Sequence, residues 1–247
     1  MKSLKVKNIA FFLLLGSLGI YSNLVLADDN TRFYTEGLVG TSLKNLTPTS
    51  DLVGASGYSN LTTGPIGTMG DTHTSSRTSF GLKAGYQYSD SIKLDISFYS
   101  LGYGNTTWGT DFNYPPAYNS AAATPFTGSL TSKTVFFSAY YTLNLDGQFK
   151  PYLGAGLGPS WNKFGQAQEG NYNFIYANTN VDLAYKIDLG AQYQINDNIG
   201  LDFGVSLIDV GEFKSANDRG TSHEPISPYK FSADLSPIVN LGLVYKF

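Results

Sequence analysis

The sequence predicts an all-β fold: eight antiparallel strands closed into a transmembrane barrel with its apolar face outward. Three observations predict it. Eight segments alternate apolar and polar residues with a period of two, which sends successive side chains to opposite faces of a sheet. The connections between these segments are alternately short and long. The polar face is rich in Gly, Ser and Thr and sparse in charge, so it suits a lumen better than a water-facing exterior.

Composition agrees. Charged residues make up 14% of the 247-residue chain, against about 25% in ordinary soluble domains. Aromatics reach 15%, with 18 Tyr and 16 Phe, and there are 27 Gly. The absence of Cys excludes a disulfide scaffold, thiol catalysis and thiolate zinc sites. A net charge of −3 gives no electrostatic footprint for nucleic acid. A mean hydropathy of −0.13 excludes a bundle of membrane helices, which needs several apolar runs of about 20 residues.

The first element is an export signal. Lys2, Lys5 and Lys7 form a basic start, Ile9 to Ile20 an apolar core, and Val25-Leu26-Ala27 a small-x-small cleavage site before Asp28 and Asp29. This is the layout of a secretory signal peptide. The chain therefore divides into a signal peptide over 1–27 and a barrel domain over 28–247.

The first strand, about 33–44, sets Phe33, Val39 and Leu43 against Tyr34, Glu36 and Ser42. The second, 77–88, sets Phe80, Leu82, Ala84, Tyr86 and Tyr88 against Ser79, Gly81, Lys83 and Gln87. The third, 92–103, sets Ile92, Leu94, Ile96 and Phe98 against Lys93, Asp95, Ser97 and Tyr99. The fourth, 132–145, sets Val135, Phe137, Ala139, Tyr141 and Leu143 against Thr134, Ser138 and Thr142. The fifth, 151–163, sets Leu153, Ala155, Leu157 and Trp161 against Gly154, Gly156 and Gly158. The sixth, 180–195, is the cleanest, with Val181, Leu183, Tyr185, Ile187 and Leu189 against Asp182, Lys186, Asp188 and Gln192. The seventh, 199–210, sets Leu201, Phe203, Val205 and Leu207 against Asp202 and Ser206. The eighth, 233–247, carries Val239, Leu241, Leu243, Tyr245 and Phe247 at alternate positions.

Short turns are expected at 89–91, 146–148 and 196–198, where Asp, Asn, Ser and Gly suit tight reversals. Long connections are expected at about 45–76, 104–131, 164–179 and 211–232. Short periplasmic turns and long external loops are the layout of an outer-membrane barrel. Closure is obligatory there, because an open sheet edge in hydrocarbon leaves backbone groups unpaired. Tyr88, Tyr141, Trp161, Tyr185, Tyr193 and Tyr245 are placed for the interfacial aromatic girdles.

Two stretches, PYLGAGLGPSW from Pro151 to Trp161 and GLDFGVSLIDVGEFK from Gly200 to Lys214, resemble strands five and seven of small bacterial outer-membrane barrels. The resemblance is to the OmpA-like, opacity-protein and surface-antigen superfamily and covers most of 32–247, weakly in the loops. Val239, Leu241, Leu243, Tyr245 and the terminal Phe247 resemble the signal that the outer-membrane assembly machinery reads. The resemblance implies surface antigens, adhesins and envelope-stabilising proteins, with specificity in the loops.

For chemistry, the lumen face brings together Glu36, Lys83, Lys93, Asp95, Asp182, Lys186, Asp188 and Asp202, with Lys246 at one end. Pairing around the 89–91 turn sets 85 opposite 95, so Lys83 and Asp95 are expected as diagonal neighbours. Eight strands leave an interior about wide enough for side chains to fill. The expected result is a plug of paired charges bulked by Tyr99, Phe136 and Tyr140; a narrow solute path is the alternative. Gly154, Gly156 and Gly158 share one strand face, which does not suit a phosphate loop opening a helix, and they read as space for larger neighbours. His73 and His223 read as solvated loop residues. The pattern around His73 lacks the His-x-Ser-Asn-Gly-like signature of outer-membrane lipid A deacylases. The second long loop holds Trp108, Phe112, Tyr114 and Tyr118, residue types enriched at binding hot spots.

The functional expectation is a non-enzymatic, monomeric outer-membrane surface protein of a Gram-negative bacterium, without cofactor or metal. Its expected partners are outer-membrane lipid and lipopolysaccharide, the assembly machinery through the last strand, and a host or environmental ligand at the loops. The rival readings are a narrow channel similar to OmpW-type barrels and, behind it, an outer-leaflet lipid-modifying enzyme.

Overall fold

A computed structural model describes residues 32–43, 46–49, 67–74, 78–112, 126–169, 173–221, 223–225, 228–233 and 235–247. The expected signal peptide lies outside these residues, as do Tyr114 and Tyr118. Eight strands form the barrel wall: β1 (Phe33–Ser42), β2 (Thr78–Gln87), β3 (Ile92–Phe112), β4 (Phe126–Thr142), β5 (Phe149–Phe164), β6 (Asn178–Gln194), β7 (Ile199–Asp209) and β8 (Ser236–Lys246). Each pairs antiparallel with its sequence neighbours, and β8 returns to β1, with Val39 opposite Leu241 and Gly37 opposite Leu243. The ring is closed, so every strand in the wall has a partner on both sides. The short turns leave Gly85 opposite Asp95 and Gln194 opposite Gly200, as the expected turn positions require.

The wall is inverted relative to a water-soluble barrel. Leu183, Leu189, Leu153, Phe137, Phe80 and Leu243 are among some three dozen large apolar side chains exposed on its outside. The alternate residues, including Glu36, Lys83, Lys186 and Asp202, are buried in the lumen.

The third and fourth strands correct the sequence reading. β3 does not stop near 103, nor does β4 begin near 132; they run on to Phe112 and from Phe126 as one long hairpin. A strand tilted by about 40° crosses an apolar band of about 25 Å in roughly ten residues, so the 21-residue β3 projects well beyond it. Two physical features hid this. A bulge between Gly102 and Asn105 shifts the alternation, and Gly104 takes a φ of 54° there, the left-handed backbone that such bulges favour. Along β4 the polarity also reverses. Val135, Phe137 and Tyr141 face out below, whereas Phe126 and Leu130 face in above, beside outward Thr127, Ser129 and Thr131. The upper part is thus an ordinary water-exposed sheet with an apolar inside.

The long connections are likewise not plain loops. The segment Gly67–Thr74 pairs with the outer end of β3, and Ala167–Glu169 and Asn173–Ile175 form a small hairpin on β4. Glu212–Lys214, Lys230–Ser232 and Thr47–Pro48 make a separate three-stranded sheet over the mouth.

Candidate functional site

The lumen is filled in layers. Nearest the short turns, Glu36 and Lys83 sit directly opposite one another on β1 and β2 and pair at 3.0 Å, both buried. Tyr34 donates to Asp95 at 3.2 Å, Tyr152 to Asp202 at 2.8 Å, and Lys93 to Gln192 at 2.6 Å. The recess among them offers about 10 Å³ to a water-sized sphere, room for about one water. Lys83 therefore takes its ion partner from β1. It lies diagonal to Asp95, as the turn predicts, but Asp95 is held instead by the Tyr34 phenol, which reaches it from β1 over Gly85.

Above this, Lys186 closes the middle. Its ammonium pairs with Asp188, with side-chain exposures of 0% and 4%, and donates to the Tyr140 hydroxyl at 2.7 Å. The rings of Tyr99, Phe136 and Tyr140 surround it at 5.2–5.5 Å, within cation–π range. Tyr140 in turn donates to Asp188 at 2.9 Å. The ring fits because Gly154 lies directly opposite Tyr140, where a Cβ would run into it.

The third layer is a polar ladder on β5 and β6 that grips the chain leaving β7. Ser160 and Asn162 each donate to the Val210 carbonyl at 2.6 Å, and Asn180 donates to the Glu212 carbonyl at 2.8 Å. Asp182 accepts from Asn180, Asn162 and the Glu212 amide at 2.7, 3.1 and 3.1 Å. Asp182 is thus the anchor of the mouth segment rather than a partner of the lower charges. The gripped segment carries Phe213 down onto Tyr103 and, with Phe231 and Tyr229, into contact with Phe164 and Phe126. All of these rings are at most 2% exposed. Burial among them pushes the Tyr103 phenol well above its usual range. Nothing in the alternation marked this apolar seal, because its residues face inward where the membrane part of the wall is polar.

The remaining expected residues are scattered. Val239, Leu241, Leu243 and Tyr245 form the outward row of β8, and the Phe247 amide bonds the Phe33 carbonyl at 3.1 Å. Trp108 and Phe112 lie on the projecting part of β3, not in a loop. His73 is exposed on the Gly67–Thr74 strand rather than in a loop. His223 is more engaged than a solvated residue: it pairs with Asp218 at 2.7 Å and stacks on Tyr176. Among the described residues, no group of three or more His, Asp or Glu is placed to hold a metal ion.

A closed antiparallel barrel with lipid-compatible walls and a polar lumen defines the molecule as a transmembrane β-barrel protein. The chain belongs to the outer membrane protein beta-barrel domain family, whose model matches residues 10–247. It is an outer-membrane protein of the Gram-negative type. Among solved structures it is similar to the outer membrane protein OprG from Pseudomonas aeruginosa, at 16% identity over 87% of this chain and 95% of that one, with a TM-score of 0.55. It is also similar to the outer membrane protein AlkL, at 16% identity over 91% and 95%, with a TM-score of 0.50. Ail of Yersinia pestis aligns at 13% identity over 87% and 97%, with a TM-score of 0.40. At these identities the likeness is one of fold. No curated protein sequence matches the chain.

Proposed function

We propose that the barrel serves as a sealed, non-enzymatic platform that anchors an external β-hairpin for surface contact and adds to envelope structure. The observation that carries this reading is the Lys186 layer. A fully buried ammonium, its carboxylate and three aromatic rings span the lumen, and a second, apolar seal lies above them. A blocked lumen leaves the outer surface as the place to act. The β3–β4 hairpin has the longest strand of the wall; Trp108 and Phe112 belong to β3, and Tyr114 and Tyr118 fall in the connecting sequence 113–125, outside the described residues. Aromatic side chains there offer contact area at small entropic cost. The outward row Val239, Leu241, Leu243, Tyr245 with Phe247 serves the assembly machinery, and the barrel works as a monomer exported by its signal peptide.

The test is adherence of cells displaying the protein to host-cell or abiotic surfaces, with and without residues 113–125. The proposal expects adherence to fall to the level of cells lacking the protein while the folded barrel persists in the membrane. Unchanged adherence would overturn the hairpin's role.

One observation favours a second reading, a channel for hydrophobic solutes. The inner mouth is apolar, with Tyr103, Phe126, Leu130 and Phe164, and would suit such a solute if the segment 211–233 swung away. Cross-linking that segment to the wall would then stop uptake of an alkane by cells.

A further inference from the structure

The outer wall carries one feature that neither a sealed lumen nor an external hairpin explains. Lys133 on β4 and Lys163 on β5 both face outward and are exposed, since their neighbours Ser132 and Asn162 are buried in the lumen. Lys133 lies opposite Trp161, and Thr131 opposite Lys163. The two lysines are therefore diagonal neighbours on one face, about 7 Å apart.

Their height is fixed by the polarity reversal. Below Lys133 the outward residues of β4 are Val135, Phe137 and Tyr141; above it they are Thr131, Ser129 and Thr127. Trp161, a side chain suited to the bilayer interface, sits beside them at 41% exposure. The pair thus stands where the apolar belt ends, at the level of the outer headgroups.

The surroundings supply donors and no compensating acid. Ser100 lies opposite Lys133, and Thr131 and Thr179 flank Lys163 on its two sides. Neither lysine has a carboxylate within 4 Å among the described residues. Like charges side by side on a sheet face repel. One lysine at this height is accounted for by snorkelling to water. Two together make a cationic spot complementary to an anion.

We propose that Lys133 and Lys163, with the hydroxyl of Thr131 between them, form a docking site for a phosphate group of an outer-leaflet glycolipid. A phosphate at headgroup depth would meet two ammonium groups and the Thr131 hydroxyl, while the acyl chains of the same lipid lie along Val135, Leu157 and Val181. Lysine recognises phosphate as a point charge, and basic residues at a membrane boundary select anionic headgroups. The site rests on the orientation in which the long connections face outward, but not on whether the lumen is sealed.

The test uses the refolded full chain in phosphatidylcholine vesicles doped with bisphosphorylated lipid A or with its dephosphorylated form. A Trp108→Phe background leaves Trp161 as the reporter, read by its emission. Lipid A is expected to shift the emission at low mole fraction; the dephosphorylated lipid and added inorganic phosphate are expected to have no effect. Lys133→Gln and Lys163→Gln together should raise the half-saturating mole fraction roughly tenfold or more, and each alone by less. Lys150→Gln, at the opposite end of the barrel, should change nothing. A heat-modifiable gel band establishes folding for each variant. An equal response to dephosphorylated lipid, or an unchanged double variant, would overturn the site. Cleavage of intact cells at 89–91 would overturn the orientation beneath it.

Discussion

Lys186 offers the sharpest perturbation of the lumen. Its ammonium has Asp188 as ion partner and the Tyr140 hydroxyl at 2.7 Å, with both charged side chains almost wholly buried. Removing one member of such a pair strands the other and costs about 3–5 kcal/mol. Loss of the cation from its aromatic surround adds roughly 1 kcal/mol. Lys186→Met keeps the length of the stem, so little of the effect comes from a cavity. Asp188→Leu should cost a similar amount. The double variant is the discriminating one, because a buried pair replaced by apolar residues is often near neutral. Here the Tyr140 hydroxyl loses both of its partners, which leaves a penalty of about 1–2 kcal/mol. The two changes should therefore be strongly non-additive, with a coupling of several kcal/mol. Reversible urea unfolding of the vesicle-inserted barrel, followed by tryptophan emission, measures all four corners of the cycle. Single variants within about 1 kcal/mol of wild type, or simple additivity, would refute the reasoning.

Three further outcomes follow from the geometry. Gly158→Ala directs a Cβ at the Val135 backbone carbonyl, an atom that cannot rotate aside, so the β4–β5 seam should fail to close; the heat-modifiable fraction after refolding measures this. Asn162→Ala removes the donors to Val210, Glu212 and Asp182 and should weaken the mouth segment by about 2 kcal/mol, seen as faster proteolysis within 212–225 while the wall stays intact. Protease applied to intact cells should spare 89–91, 146–148 and 195–198 and cut only in the long connections, as mass spectrometry of released peptides would report.

The wall was legible in the sequence because lipid on one side and a packed lumen on the other enforce a strict two-residue period. Leu183, Tyr185, Ile187 and Leu189 stand out against Lys186 and Asp188 for that reason, and the turn at 89–91 was enough to set Gly85 opposite Asp95. The β1–β2 register was not available from any turn, since a long connection joins those strands. The Glu36–Lys83 pair therefore could not be drawn from spacing. The upper hairpin was hidden by the bulge at Gly102–Asn105 and by the reversal of polarity from Val135 to Leu130, which makes the same period read as loop. Asp182 looked like one more lumen charge because one of its partners, the Glu212 amide, is brought to it only by the fold of the mouth segment. Phe213, Tyr229 and Phe231 carry no periodic signal at all, lying in a connection of mixed composition.

The sealed lumen is tested most directly by single-channel recording of the refolded chain in a planar bilayer, with the heat-modifiable band as proof of folding. Wild type should be silent, and Lys186→Ala combined with Phe213→Ala and Phe231→Ala, which opens the apolar seal above as well, should give a small step conductance. A reproducible step from the wild-type barrel, unchanged by substitution of Lys186, would contradict the seal.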